Sequence, residues 1–97
     1  MYDKSDKKRL YWLIDEYLSH RISEPVFCDE FYLSYGLGVD PNILSEKEKK
    51  SFLELYEVSS RFSEFEDDHK LDPRAFSTVI ELREKILEVK KNLYAKN

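Results

Sequence analysis

Glycine occurs twice and proline three times in 97 residues. Tight turns draw heavily on both, so a β domain built from many short hairpins is disfavoured. A single cysteine, Cys28, rules out an internal disulfide and suits a reducing compartment. No stretch approaches the roughly 20 consecutive apolar residues of a membrane span. Residues Met1 to Arg9 are charged, and the apolar run after them is broken by Asp15 and Glu16, so the start does not read as a secretory signal. A cytoplasmic chain with no membrane partner is expected. Positive charge is also in short supply: 16 Lys and Arg stand against 20 Asp and Glu, for a net charge of −4. A chain of that sign meets a phosphate backbone with repulsion, so no nucleic acid is expected as partner, and a basic protein is.

Chemistry-bearing motifs are missing as well. There is no glycine-rich phosphate loop, no serine elbow and no paired-cysteine metal motif. The only histidines are His20 and His69. His69 lies beside Asp67 and Asp68, a pattern in which acid–base chemistry is conceivable, but a solvated histidine among carboxylates is the simpler reading. Glu66, Asp67, Asp68 and Asp72 lack the spacing and the central glycine of a calcium loop. Cys28 reads as a small core residue. No enzyme, no cofactor and no metal are therefore expected.

What is present is helical. Leu10, Leu13, Ile14, Tyr17 and Leu18 recur at spacings of three and four, which predicts a first helix over about Ser5 to Ser19. Tyr11 and Trp12 widen its apolar face or sit at the rim, and His20 falls at its end, where an imidazole can meet the last carbonyls. Ser23-Glu24-Pro25 combines a hydroxyl cap with proline in the first turn, starting a second helix over about Glu24 to Tyr35. Phe27, Phe31 and Tyr35 form its inner stripe, Asp29, Glu30 and Tyr32 fall towards the other side, and Gly36 is the expected stop. Residues 37–44 read as a loop that folds back over the core, and Ser45-Glu46-Lys47-Glu48 is a capping box for a third helix reaching about Phe62. Phe52, Leu55, Tyr56, Ser59 and Phe62 share one face of it. After a short turn at 73–76 begun by Asp72-Pro73, a last helix over about Ser77 to Tyr94 carries the seam Val79, Leu82, Ile86, Val89 and Leu93, broadened by Ile80 and Leu87. Thr78 to Glu81 offers a second start with capping-box spacing. Four amphipathic helices joined by mostly short links predict one all-α domain over 1–97, an antiparallel four-helix bundle.

One polar stretch interrupts this pattern. Ser63 to Asp72 holds five carboxylates against Lys70 alone, with Phe65 and Leu71 among them. From Glu54 to Asp72 there are seven carboxylates against two bases, a balance of −5, whereas Glu81 to Asn97 has three acids against five bases, a balance of +2. One reading is a solvated loop whose charges favour the positive end of the next helix. The other is a protein-binding surface, where aromatic burial gives affinity and charge gives steering. The candidate contact residues are Glu64, Phe65, Glu66, Asp67, Asp68 and Asp72, with Asp29, Glu30, Tyr32 and Tyr35 on the second helix.

The order of features resembles the colicin D immunity family, which includes immunity proteins of contact-dependent growth inhibition systems. The resemblance runs over roughly residues 10–93. It is carried by Trp12-Leu13-Ile14-Asp15-Glu16-Tyr17-Leu18, by Arg21-Ile22-Ser23 ahead of Phe27 and Phe31, by Leu44-Ser45-Glu46-Lys47-Glu48 ahead of Phe52, Leu53, Leu55 and Tyr56, and by the acidic stretch before the last helix. It implies a four-helix bundle that binds the toxic nuclease domain of a cognate bacteriocin or growth-inhibition effector in a 1:1 complex. Such toxins are typically tRNA-cleaving ribonucleases, whose basic cleft the acidic surface of the immunity protein occupies. The alternative from another class is a non-catalytic helical adaptor or regulator that takes a partner helix in an apolar groove.

Overall fold

Asp6 sets where the first helix begins. Its carboxylate accepts from the Lys8 N–H at 2.9 Å and its carbonyl from the Arg9 N–H, so α1 spans Lys8–Leu18 and starts three residues later than its polar leader suggests. The computed structural model describes residues 2–63, 65–72 and 74–94. α1 ends where His20 adopts a left-handed backbone (φ 62°), with the His20 and Arg21 N–H groups donating to the Tyr17 and Glu16 carbonyls. That is a Schellman stop, with histidine in the place glycine usually takes. The backbone N–H groups of His20 and Arg21, rather than the imidazole, satisfy those two carbonyls.

α2 spans Glu24–Phe31, capped by Ser23 with Pro25 in its first turn, as its sequence predicts. It does not continue as an α-helix to Tyr35. Residues Tyr32–Gly36 widen into a π-helical turn. The wider turn accommodates two interior commitments at once. Ser34 is fully buried and its Oγ accepts from Arg9 Nε at 2.8 Å, while Tyr35 lies stacked on Phe31 at 5.4 Å. Val39 and Leu44 then join the core on either side of a short turn at Pro41–Ile43.

α3 spans Glu46–Ser60 and opens with the expected capping box, Ser45 Oγ accepting from the Glu48 N–H and Glu48 returning to the Ser45 N–H at 2.8 Å. It stops two residues short of Phe62. Beyond it, the Ser63 N–H donates to the Ser77 carbonyl and the Ser77 N–H donates to the Arg61 carbonyl, a single parallel bridge. This bridge closes the acidic segment into an excursion whose two ends touch. Inside that excursion is not an open loop but a short helix, α4 (Glu66–Leu71). Glu66, Asp67 and Asp68 occupy its first turn and His69 and Lys70 its last, which matches each sign of charge to the helix dipole. The carboxylates thus favour the start of their own helix rather than the next one.

α5 spans Val79–Tyr94 and begins at the second of the two possible starts. The Thr78 hydroxyl accepts from the Glu81 N–H, and Glu81 accepts from the Thr78 N–H, each at 3.1 Å. Asp72 forms a turn through Arg74 and Ala75 ahead of it, and Pro73 lies outside the described residues. Leu82, Ile86 and Val89 are buried against the core as the seam predicts. Ile80 and Leu87, expected to broaden that seam, are 66% and 49% exposed, because among the described residues they lie off the stripe that packs on the core.

The fold is all-α, and among the described residues no strand forms. Its core joins Leu10, Leu13 and Ile14 of α1 to Phe27 and Phe31 of α2, Phe52 and Leu55 of α3, and the α5 seam. One polar node sits against it. Glu48 is buried, accepts from the Tyr11 hydroxyl and pairs with Lys7 at 3.2 Å, tying α1 to the start of α3. Tyr94 extends the tie to α5 by donating to the Tyr11 carbonyl at 3.1 Å. Burial alone would raise the Glu48 carboxyl, but the hydrogen bonds from Tyr11, the Ser45 N–H and Lys7 outweigh it and hold it below its ordinary 4.5. A carboxylate depressed by folding contributes stability above its unfolded pKa and loses it as pH falls through the folded value. Glu48→Gln is therefore expected to cost about 2 kcal/mol at neutral pH. That deficit should shrink below the ordinary carboxyl pKa of 4.5. Urea unfolding of both proteins at pH 7 and pH 3 measures it, and a deficit independent of pH would contradict this role.

Candidate functional site

Four of the surface residues singled out in the sequence, Asp29 and Tyr32 on the second helix and Phe65 and Asp68 in the acidic segment, line one groove. Helical geometry explains one wall. Phe27 and Phe31 commit one face of α2 to the core, so Pro25, Asp29 and Tyr32, spaced four and three apart, line up on another face. The bridge at Phe62 and Ser77 supplies the other wall, holding Phe65 and Asp68 of the acidic segment opposite. The end of α3, with Tyr56, Ser59 and Ser60, forms the floor, and Cys28, Phe62, Ser63 and Phe76 complete a groove of about 490 Å³. Among the described residues no lysine or arginine lines it.

The acidic wall is held from within. Ser63 Oγ donates to Asp68 Oδ2 at 2.6 Å and accepts from the Phe65 N–H at 3.1 Å. His69 Nε2 lies 2.8 Å from the Ser63 carbonyl oxygen; a carbonyl only accepts, so Nε2 carries the proton and donates. The imidazole also meets Phe76 edge-on at 6.3 Å. His69 thus anchors α4 to the chain ahead of it, and its Nε2 is engaged by a backbone carbonyl rather than by Asp67 or Asp68. Phe65 is left 64% exposed on the groove's edge.

The other candidate residues are placed differently. Glu66 and Asp67 are exposed on the first turn of α4, Glu66 within 3.8 Å of Lys70. Asp72 is exposed, and its side chain accepts from the Arg74 N–H at 3.0 Å. Glu30 sits about 100° round the helix from Asp29, and it receives Arg9 Nη2 at 2.6 Å. That arginine also holds Ser34 and lies over Trp12, so Glu30 belongs to a tie between α1 and α2. Tyr35 is half-buried between Phe31, Phe52 and Tyr56, and burial raises its phenol. Glu64 lies outside the described residues.

Several lining residues carry no functional signal in the sequence. Tyr56, Ser59 and Phe62 read as part of the inner face by their period, and Phe76, Ser60 and Ser63 carry no pattern at all. The spacing of Pro25, Asp29 and Tyr32 is the signal that points to a second face of α2. Tyr32 is 46% exposed, and its ring lies nearly parallel to that of Tyr56, with centroids 6.3 Å apart. Cys28 is half-buried beside them, where burial first and then Asp29 and Glu24 push its thiol up to about 12. It is a protonated wall residue rather than a nucleophile.

Among the described residues no three His, Cys, Asp or Glu side chains converge as metal ligands, and no helix is long and apolar enough to cross a membrane. Comparison of the chain with protein-family models, with curated proteins and with solved structures returns no match.

The two neighbouring carboxylates of α4 are expected to behave differently. Asp68→Ala removes the acceptor of the Ser63 hydroxyl, worth about 1 kcal/mol or more. Hydrogen exchange of the α4 amides should then speed up about fivefold or more. Asp67→Ala should leave stability within about 0.5 kcal/mol. Equal effects at both positions would contradict the inward role of Asp68.

Proposed function

We propose that this chain is an immunity protein of the colicin D immunity kind. It binds and neutralises a cognate bacterial toxin in the cytoplasm. The toxin is a tRNA-cleaving ribonuclease domain of a bacteriocin or a contact-dependent growth inhibition effector. The chain acts by occupancy, without catalysis, cofactor or metal: its acidic face covers the basic cleft that the toxin uses for RNA. In this reading α1, α2, α3 and α5 form the antiparallel four-helix bundle, and α4 is an insertion that builds the binding face.

The observation that carries the proposal is the groove itself. It gathers exposed aromatic side chains and carboxylates from α2 and the acidic segment, and among the described residues no cation lines it. Aromatic anchors give buried area and carboxylates give sign selectivity, the two components a tight inhibitor of a basic enzyme requires. Glu66 and Asp67, exposed on the first turn of α4, add acidic surface to this side of the molecule, and a standard interface needs about 1,600 Å² in total.

The test is co-expression with the product of the adjacent gene. Growth should be restored and a 1:1 complex should co-purify. Its association rate should fall as salt rises, since steering is screened beyond about 8 Å at physiological ionic strength. Failure of both rescue and co-purification would overturn the proposal.

A further inference from the structure

Apart from the Tyr32 and Tyr56 phenols and the Cys28 thiol, the polar side chains that line the groove offer acceptors. Ser59 Oγ donates to the Tyr56 carbonyl at 3.2 Å, Ser60 Oγ to the Glu57 carbonyl at 3.1 Å, and Ser63 Oγ to Asp68. Each hydroxyl has one proton, and all three are already engaged inside the protein. What these serines still offer is lone pairs. The two carboxylates, Asp29 and Asp68, also only accept. Asp29 is exposed and takes part in no ion pair among the described residues. The remaining surface is dominated by aromatic rings, with Tyr32 and Tyr56 presenting a nearly parallel pair.

Acceptors, negative charge and flat π-faces in one groove describe a receptor for a planar, donor-rich cation. We infer that the groove takes an arginine side chain presented by the partner, its guanidinium laid against the Tyr32–Tyr56 pair and hydrogen-bonded to Asp29. Guanidinium suits these walls better than ammonium does. It is planar, it carries five N–H donors in a fixed fork, it is weakly hydrated, and it stacks on rings. Phe65, exposed on the opposite edge, covers the aliphatic stem of that side chain. The groove's volume of about 490 Å³ admits one long side chain with its backbone, within the roughly 300–1,000 Å³ of small-ligand sites. The inference rests on the reading of this face as the toxin-binding one, and it adds which chemical group of the toxin the face selects.

The test uses the whole chain and two small probes, N-acetyl-arginine amide and N-acetyl-citrulline amide. Citrulline keeps the planar shape and loses the charge. Titrations are followed by NMR at the Tyr32, Tyr56 and Phe65 rings. The arginine probe should shift all three rings saturably and bind about tenfold more tightly than the citrulline probe. Asp29→Asn, an exposed and nearly isosteric change whose melting temperature is checked in parallel, should remove most of that preference. Equal binding of the two probes, absence of ring shifts, or a preference that survives Asp29→Asn overturns the inference. The two readings fail separately. Toxin rescue with no arginine preference overturns the arginine site alone, and an arginine preference without rescue supports the site while overturning the proposed toxin partner.

Discussion

Phe31 has no exposure to solvent, and its ring stacks on Phe27 at 5.5 Å and on Tyr35 at 5.4 Å, nearly parallel to both. Phe52 of α3 meets the same ring from the side, and Tyr17 of α1 meets Phe27. This column of rings fixes the rotation of α2 about its own axis. A helix whose inner face is committed to three aromatic side chains has no freedom over what its other faces present. Pro25, Asp29 and Tyr32 face the groove because Phe27 and Phe31 face the core. Replacing the column would do more than weaken packing, since it would release the constraint that aims one wall of the proposed binding surface.

The second wall depends on a different kind of restraint. Crowded carboxylates repel one another, and a six-residue helix has little stability of its own. α4 persists because its surroundings hold it at several points. The bridge between Phe62 and Ser77 brings together the chain on either side of it, Ser63 Oγ bonds both the Asp68 carboxylate and the Phe65 N–H, and His69 fastens the last turn to the Ser63 carbonyl. Negative charge is thereby concentrated at the helix start and around the groove, while Glu30 and Glu48 are withdrawn into ties with Arg9, Lys7 and Tyr11. Asp68 does both, bonding Ser63 inside the chain while lining the groove, whereas Asp29 and Asp67 are exposed and form no ion pair among the described residues.

How much of this could be read from the sequence follows the range of each interaction. The capping boxes at Ser45 and Thr78 are local chemistry over four residues, and both are present at the positions their spacing indicates. The inner stripes of α1, α2 and α5 are likewise periodic and legible. The π-helical turn at Tyr32–Gly36 is not, because it answers to Arg9, 25 residues away from Ser34 in the chain. α4 escaped as a helix because its support is tertiary, and the acidic run that marks it reads equally well as a solvated loop. Ile80 and Leu87 continue the α5 pattern, yet a pattern cannot say whether a second element exists to cover it. Asp29 and Phe65 are both legible as surface candidates on separate elements. Their convergence on one groove depends on the bridge between Phe62 and Ser77, which no local signal announces.

The claim that rests on all of these is that the toxin docks in the groove between α2 and the acidic segment. A photo-crosslinking amino acid placed at position 65 tests it most directly, with position 80 on the outer face of α5 as its counterpart, since Phe65 and Ile80 are comparably exposed at 64% and 66%. Both variants are co-expressed with the proposed toxin partner, the product of the adjacent gene, and irradiated in the cell. A covalent adduct from position 65 and none from position 80 is the predicted result. An adduct from position 80 with none from position 65 would place the toxin on α5 and contradict the account.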